Sequence, residues 1–323
     1  MMKYAISGLG LAATALATSR TSAPSGCSTV ASSGGDYTTV QDAVDAASEG
    51  GCIFLDKGTY EEQVLVETAS LTIYGYTSDT SSYSGNGATI TAGYSQVNGL
   101  SDDETGTLRV HAADFKLYNV DVVNSYGEGS QAIALSAYDD SGYYGCSFQG
   151  YQDTVLTEQG NQLYANCEIV GATDFIFGQE SMAWFEGCDL RVLEASLGYL
   201  TANGASSSGE SKYVFNNCDI AADSGASVTA GAYYLGRPWG EDAYVVFQES
   251  TISDVINSAG WSEWSSSEPN TSGVTFAVYD NSGDGASDSY TASFATTLSA
   301  AIEISDILGS SYTSAGYYDS SYM

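Results

Sequence analysis

A repeat with a period of 21 residues runs through the middle of the sequence. Cys146, Cys167 and Cys188 are spaced 21 residues apart, and Cys218 follows after a longer interval. Each cysteine comes directly after a short segment in which large apolar and polar residues alternate, as they do in strands. Short strands that recur at such intervals, with Gly, Asn and Ser between them, are typical of a solenoid of stacked β coils.

We therefore predict an all-β chain folded as a parallel β-helix, a single-stranded solenoid with short capping helices. An ordinary β-sandwich is the alternative, but its strands recur every 8–12 residues without such self-similarity. Equivalent positions on successive coils lie about 4.8 Å apart, so the four cysteines form an inward ladder, either as buried thiols or with a disulfide. The capping helices are predicted at 38–47 and 298–308, and the tail 310–323 either follows the solenoid surface or frays.

The charge balance limits the possible partners. The chain has 8 Lys and Arg against 40 Asp and Glu, a net charge of −32, which excludes nucleic-acid binding. Hydrophobic residues make up 43% of the chain, enough to form a core despite the charge. The single histidine, His111, excludes a multi-histidine metal site. We predict a structural role for His111, and no metal or other cofactor.

The N-terminus has the pattern of a signal peptide, with Lys3, an apolar stretch and a small-residue cleavage site at 15–17. The stretch is shorter than the roughly 20 apolar residues of a membrane span, so no membrane anchor is expected. We predict that residues 1–17 are removed and that residues 18–323 form one secreted, extracellular and monomeric domain. In that setting Cys27 and Cys52, which lie outside the ladder, are disulfide candidates. Asn270-Thr271-Ser272 is an allowed glycosylation sequon.

The 21-residue period also places two acids on adjacent coils. Asp153 follows Cys146 by seven residues, and Asp174 follows Cys167 by the same distance. Two carboxyl groups this close do not ionise together easily, so one serves as a general acid while the other remains an anionic nucleophile or base. The alternative is a pair of exposed turn residues.

Three polar residues favour a catalytic role for this acid pair. Gln152 precedes Asp153, and Gln131 lies on the preceding coil, so that their amide N–H groups could donate to a developing oxyanion. Arg237 is one of few cations and is followed by Pro238 and Trp239. A guanidinium near the acids would orient one of them, and the indole is a natural platform for a sugar.

Five ordered motifs closely resemble those of the pectin methylesterases, also called pectinesterases, over about residues 36–308. The motifs are Gly58-Thr59-Tyr60-Glu61-Glu62, Gln131-Ala132-Ile133-Ala134-Leu135, Gly150-Tyr151-Gln152-Asp153-Thr154, Asp174-Phe175-Ile176-Phe177-Gly178 and Leu235-Gly236-Arg237-Pro238-Trp239. The segment 136–138 looks like the secreted fungal branch. Two positions depart from the family pattern: Ser136 stands where many members have a basic residue, and Val155 interrupts a Gln-Asp-Thr-Leu run.

The resemblance implies a right-handed parallel β-helix that hydrolyses the methyl esters of homogalacturonan to pectate and methanol. It implies that Asp174 is the nucleophile, Asp153 the general acid and then base, and Gln131 and Gln152 the oxyanion donors. Arg237 would hold Asp174 as an anion.

The resemblance also implies a set of sugar-binding aromatic residues. Trp239 would line the sugar subsites, with Trp261 and Tyr151 beside it. The implied partner is pectin, and a proteinaceous inhibitor is a further possible partner.

Two other functions remain open from the sequence. A polygalacturonase or pectate lyase could use the same architecture, since glycosidases also employ paired acids. A catalytically inactive polysaccharide-binding β-helix is the second alternative, but a binding protein has no need of a stacked acid pair.

Overall fold

The computed structural model describes residues 18–323, so the predicted signal peptide at 1–17 lies outside the described residues. The described chain winds into a right-handed parallel β-helix, as predicted, whose coils contribute strands to three parallel sheets. The first sheet contains β1 (Ser28–Val30), β2 (Cys52–Leu55), β5 (Thr72–Gly75), β8 (Phe115–Tyr118), β11 (Ser141–Tyr144), β14 (Gln159–Ala165), β17 (Glu180–Glu186), β20 (Lys212–Asn216), β23 (Tyr244–Gln248), β25 (Thr275–Tyr279) and β26 (Ala295–Thr297). The second contains β3 (Gly58–Glu61), β6 (Ala88–Ala92), β9 (Asp121–Asn124), β12 (Ser147–Gln149), β15 (Glu168–Gly171), β18 (Asp189–Val192), β21 (Asp219–Ala222) and β24 (Thr251–Ile252). The third contains β4 (Val64–Val66), β7 (Leu108–Val110), β10 (Leu135–Ala137), β13 (Val155–Thr157), β16 (Ile176–Gly178), β19 (Gly198–Asn203) and β22 (Tyr233–Gly236).

The register between coils follows the sequence period. Tyr143 on β11 pairs with Tyr164 on β14, which pairs with Phe185 on β17, so each step is 21 residues. Their rings stack inside the solenoid with centroids 4.8 and 4.6 Å apart. Stacked rings bury a large apolar area per coil, which stabilises the register.

The four repeat cysteines lie at the turn between the first and second sheets, buried as free thiols. The Sγ of Cys167 lies 3.4 Å from the Tyr143 carbonyl oxygen of the preceding coil, and Cys188 makes the equivalent contact to Tyr164. The predicted inward ladder is confirmed, and its members are thiols rather than disulfides. A disulfide instead joins Cys27 to Cys52, the two cysteines outside the ladder.

The N-terminal end is covered by helix α1 (Val40–Ala46), as predicted. The hydroxyl of its N-cap, Thr39, accepts a hydrogen bond from the backbone of Asp42, and Val40, Ala43 and Val44 are buried against β1, β2 and β4. A second short helix, α2 (Asp102–Thr105), begins with a capping box between Ser101 and Glu104.

The predicted C-terminal cap is wrong in its placement. Helix α3 (Ile304–Leu308) lies on the side of the solenoid against β17, with Ile307 and Leu308 packed in one cluster with the outward-facing Trp184. The outer face of the first sheet is itself apolar here, and α3 covers it.

The tail continues along the same side of the solenoid. Tyr317 is buried, and its carbonyl oxygen accepts a hydrogen bond from the Tyr144 hydroxyl. Of the two alternatives for residues 310–323, the structure shows attachment to the solenoid surface. Within residues 18–323 no helix has the length and apolar character needed to cross a membrane.

Candidate active site

Asp153 and Asp174 occupy the same position on adjacent coils, in the turn that joins the second sheet to the third. The preceding residues, Gln152 and Thr173, form a parallel bridge, and the backbone N–H of Asp153 donates to the Thr173 carbonyl oxygen at 3.0 Å. Both acids are nearly buried, with 8% and 6% of their surfaces exposed. The predicted stacking of the two acids is therefore present, and exposed turn residues are excluded.

Arg237 follows β22 and forms a fork on Asp174. Its Nε donates to one carboxylate oxygen at 2.9 Å and its terminal nitrogen to the other at 2.6 Å. The guanidinium lies between two aromatic rings, 4.1 Å from the centroid of Tyr199 and 4.3 Å from that of Trp264. Bidentate pairing fixes the plane of the carboxylate, and the two rings hold the guanidinium in place.

Burial and charge separate the behaviour of the two acids. Burial raises the pKa of Asp153 well above its ordinary value, and the negative charges of Asp174 and Asp102 raise it further. Burial also raises the pKa of Asp174, but the hydrogen bonds and charge of Arg237 lower it. Asp174 therefore loses its proton first, leaving an anion beside a protonated acid.

Gln131 and Gln152 lie on adjacent coils next to this pair. The backbone N–H of Ala132 donates to the Gln152 carbonyl oxygen at 3.1 Å, so the two segments run side by side. Gln152 contacts Asp153 and lowers the pKa of that carboxyl. Both glutamines are half-buried, and a side-chain amide N–H is a donor of the kind that stabilises an oxyanion.

The aromatic residues around the acids differ from the sequence expectation in one case. Trp239 is half-buried, and its ring centroid lies 6.2 Å from that of the buried Phe177. Trp261, expected to line a sugar subsite, is 1% exposed and stacks on Phe276 in the core, so it presents no face to a ligand. The expectation for Trp261 is therefore wrong. Its backbone forms a parallel bridge with Gly236, and its side chain is buried in the core.

Two aromatic residues at the site were missed in the sequence. Trp264 lies three residues after Trp261, in the loop that follows the bridge between Trp261 and Gly236. Its ring covers the guanidinium of Arg237. The Trp-Ser-Glu-Trp segment at 261–264 was the available signal in the sequence. Because Trp264 lies in a loop, the alternation of apolar and polar residues along a strand does not predict where its side chain lies. Tyr199 on β19 had no distinguishing neighbours in the sequence.

A cavity of about 620 Å³ opens beside Gln152 and Tyr151. The Tyr151 hydroxyl donates to the Glu194 carbonyl oxygen at 3.3 Å. Glu128 and Glu194 line this cavity, and no lysine or arginine among the described residues does. The neighbourhood is therefore acidic on this side of the acid pair.

His111 directly follows β7 and belongs to a network centred on Asp103. Its Nε2 is 2.9 Å from the Asp103 carboxylate, which also binds Arg109 and accepts from the Ser136 hydroxyl at 2.8 Å. Its ring packs at 4.8 Å from that of Tyr138. Arg109, which lies opposite Ser136 on the adjacent coil, is thus already paired with Asp103. Within residues 18–323 no group of three or more acidic, histidine or cysteine side chains is arranged to hold a metal ion.

Comparisons with known proteins converge on one family. The family model described as Pectinesterase matches residues 28–315. A pectinesterase of Aspergillus aculeatus is 50% identical, and one of Aspergillus niger is 47% identical, each over 100% of both chains. The structure resembles the crystal structure of a pectin methylesterase from Aspergillus niger, with a TM-score of 0.87, 42% identity and coverage of 94% of this chain and 100% of that one. A pectin methylesterase from carrot gives a TM-score of 0.80 at 28% identity, over 92% of this chain and 98% of that one.

Proposed function

Because the chain belongs to the pectinesterase family, we propose that it hydrolyses the methyl esters of homogalacturonan, with Asp174 as its nucleophile. The products are methanol and pectate. The observation that carries the assignment is the Arg237 fork on Asp174 beside an acid, Asp153, whose pKa is raised well above its ordinary value. Polygalacturonase or lyase activity and an inactive binding protein are not favoured by these relatives.

The first half of the reaction forms a covalent intermediate. An Asp174 carboxylate oxygen attacks the ester carbonyl carbon, and the side-chain amides of Gln131 and Gln152 donate to the oxyanion that forms. Asp153 then gives its proton to the methoxide oxygen as the carbon–oxygen bond breaks, and methanol leaves. The result is an acyl anhydride on Asp174 and an anionic Asp153.

The second half restores both acids. Asp153 takes a proton from a water molecule, whose oxygen attacks the acyl carbon of the anhydride. Collapse of the tetrahedral intermediate releases the galacturonate carboxyl group and returns Asp174 as a carboxylate. Arg237 favours this anionic leaving group because its two hydrogen bonds are strongest to the charged form.

We also propose the position of the substrate and the setting of the enzyme. Trp239 and Tyr151 contact sugar rings on either side of the acids, and Trp264 replaces Trp261 in that role. Residues 18–323 act as one domain, supported by a hydrophobic cluster whose buried members extend along the chain from Val30 to Tyr290. The enzyme is a secreted monomer after removal of residues 1–17, acting on pectin outside the cell.

Methanol release from highly esterified pectin tests the reaction. We expect activity in the wild type and a loss of at least about 10³-fold in Asp174→Asn, which keeps the side-chain shape but removes the nucleophile. Asp121→Asn is the matched control, since Asp121 is another largely buried acid with a raised pKa but lies on β9, outside the site. Reducing ends or unsaturated products without methanol would overturn the esterase assignment, and near-normal activity of Asp174→Asn would overturn the nucleophile.

A further inference from the structure

The glycosylation sequon lies against the segment that carries the site arginine. Asn270 has a left-handed backbone conformation, with φ of 53°. Its side-chain nitrogen, Nδ2, lies 2.9 Å from the Trp239 carbonyl oxygen and 3.3 Å from that of Pro238. The nitrogen to which a glycan would be attached is therefore engaged with the backbone directly after Arg237.

Asn270 belongs to the loop that holds Trp264 over Arg237. The loop leaves the neighbouring strand where the Ser262 N–H donates to the Gly236 carbonyl oxygen, and it rejoins where the Gly273 N–H donates to Glu241. Between these two points, among the described residues, the hydrogen bonds that join the loop to the adjacent coil come from the Asn270 side chain.

The link from Asn270 to Trp264 is short. The backbone N–H of Trp264 donates to the carbonyl oxygen of Pro269, the residue before Asn270, at 3.3 Å. The Trp264 ring then stacks 4.3 Å from the guanidinium carbon of Arg237, which orients Asp174. A shift of the loop at Asn270 would therefore change the packing on Arg237 directly.

Glycosylation of this amide would disrupt the contact, because only one N–H would remain to donate to the two carbonyl oxygens. An unmodified asparagine amide carries two N–H hydrogens, and two carbonyl oxygens lie within reach of this one. An attached sugar replaces one hydrogen and places a bulky polar group at the same nitrogen, which here faces the backbone of 238–239.

We propose that Asn270 is a positioning residue whose side-chain amide ties the Trp264 loop to the Arg237-Pro238-Trp239 segment, and that this amide is unmodified in the active protein. The proposal rests on the proposed function, since it assigns the effect of the contact to the site around Arg237. The role of Asn270 then lies in the hydrogen bonds that its side-chain amide donates, and not in glycosylation.

Three variants separate the amide from the sequon. Asn270→Asp keeps the size of the side chain but removes both donors, and Asn270→Ala removes the side chain. Thr271→Ala destroys the sequon while leaving Asn270 intact, so it is the matched control. For each secreted variant we would measure kcat and KM for methanol release, and acrylamide quenching of tryptophan fluorescence. Trp184 and Trp261 are buried, so increased quenching reports on Trp239 and Trp264.

We expect both Asn270 variants to lose at least about fivefold in kcat/KM, mainly through KM, with stronger quenching, while Thr271→Ala matches the wild type. Peptide mapping of active wild-type protein should find Asn270 without a glycan. Unchanged KM and quenching in the Asn270 variants, equal losses in Thr271→Ala, or a glycan on fully active protein would each overturn the proposal. An inactive wild type would instead contradict the proposed function, and the quenching comparison would still test the contact.

Discussion

Asp153 and Asp174 share a left-handed backbone conformation, with φ of 64° and 50°, that most side chains avoid. The turn between the first and second sheets uses the same conformation at Gly145, Asn166 and Gly187, residue types that adopt it readily. An aspartate tolerates this geometry better than larger side chains do, so the turn can hold a carboxylate at a fixed point of two adjacent coils. The position of the acids thus follows from the turn, and their proposed roles follow from burial and Arg237.

The geometry of the Arg237 fork leads to a prediction for Arg237→Lys. A lysine keeps the charge but cannot hold both carboxylate oxygens of Asp174 or stack between Tyr199 and Trp264. We expect kcat/KM to fall about 10²-fold. Because Arg237 lowers the pKa of Asp174, we also expect the acidic limb of the pH–rate profile to move to higher pH, measured by methanol release.

Arg191 provides the control for that substitution. Its side chain is about as exposed as that of Arg237, and its guanidinium nitrogens lie 3.0 Å from Asp189 and 2.8 Å from Asp219. Arg191 lies on β18, in the second sheet. Arg191→Lys should retain activity within about twofold. A comparable loss in both variants would show that any buried arginine matters equally, against a specific role for Arg237.

Trp239 and Trp261, which both precede the Trp264 loop, give a second residue-scale prediction. Trp239→Ala should raise KM for pectin about tenfold with little change in the free energy of unfolding, because we propose that the indole contacts a sugar ring. Trp261→Phe should leave KM unchanged but lower the free energy of unfolding by about 1–3 kcal/mol, since Trp261 fills the core against Phe276. Urea unfolding and initial rates measure both, and a KM effect of Trp261→Phe would contradict its core placement.

At the scale of elements, the sequence period specified the stacking but not what covers the stack. The 21-residue interval identified the coils, the inward cysteines and the adjacency of Asp153 and Asp174, because a solenoid converts sequence spacing directly into spatial register. Helix α3 shows the limit. Its apolar residues indicated a buried face, but the first sheet has apolar residues on its outer side as well, and no local pattern distinguishes an end cap from a side cover.

The disulfide near the N-terminal end permits a test at this scale. Cys27 and Cys52 close a loop with a separation of 25 residues. Replacing both with alanine should lower the free energy of unfolding by about 3 kcal/mol, chiefly because the unfolded chain regains the freedom that the loop removes. Activity of the folded enzyme should persist, since neither cysteine is near the acids.

Thiol counting provides an independent check of the same pairing. The denatured, unreduced protein should titrate four thiols, from the four ladder cysteines, and six after reduction. A count of two without reduction would mean that part of the ladder is oxidised, contrary to the structure.

At the scale of the whole molecule, the acids that give the chain its net charge of −32 include several that folding buries, and these make its stability depend on pH. Burial raises the pKa of Glu158 to about 7 and that of Asp121 to about 6. Hydrogen bonds lower the pKa of Asp103 and Asp319 despite the burial of these two residues. Acids with a lowered pKa change stability with pH in the opposite direction, but for these two the change lies below about pH 4. Between about pH 4 and pH 7 the carboxyl groups of the folded chain therefore bind more protons than those of the unfolded chain.

This difference in bound protons fixes the sign of the pH dependence. Stability falls as pH rises wherever the folded state holds the extra protons, so the unfolding free energy should be larger at pH 5 than at pH 7. Each extra proton contributes about 1.4 kcal/mol per pH unit before solvent screening, which reduces the contribution of the partly exposed Glu158, so we expect a total of roughly 1 kcal/mol or more. Urea unfolding at the two pH values measures it. The Asp121→Asn, Glu158→Gln double variant should show a flatter dependence, and greater stability of the wild type at pH 7 would contradict the assigned pKa shifts.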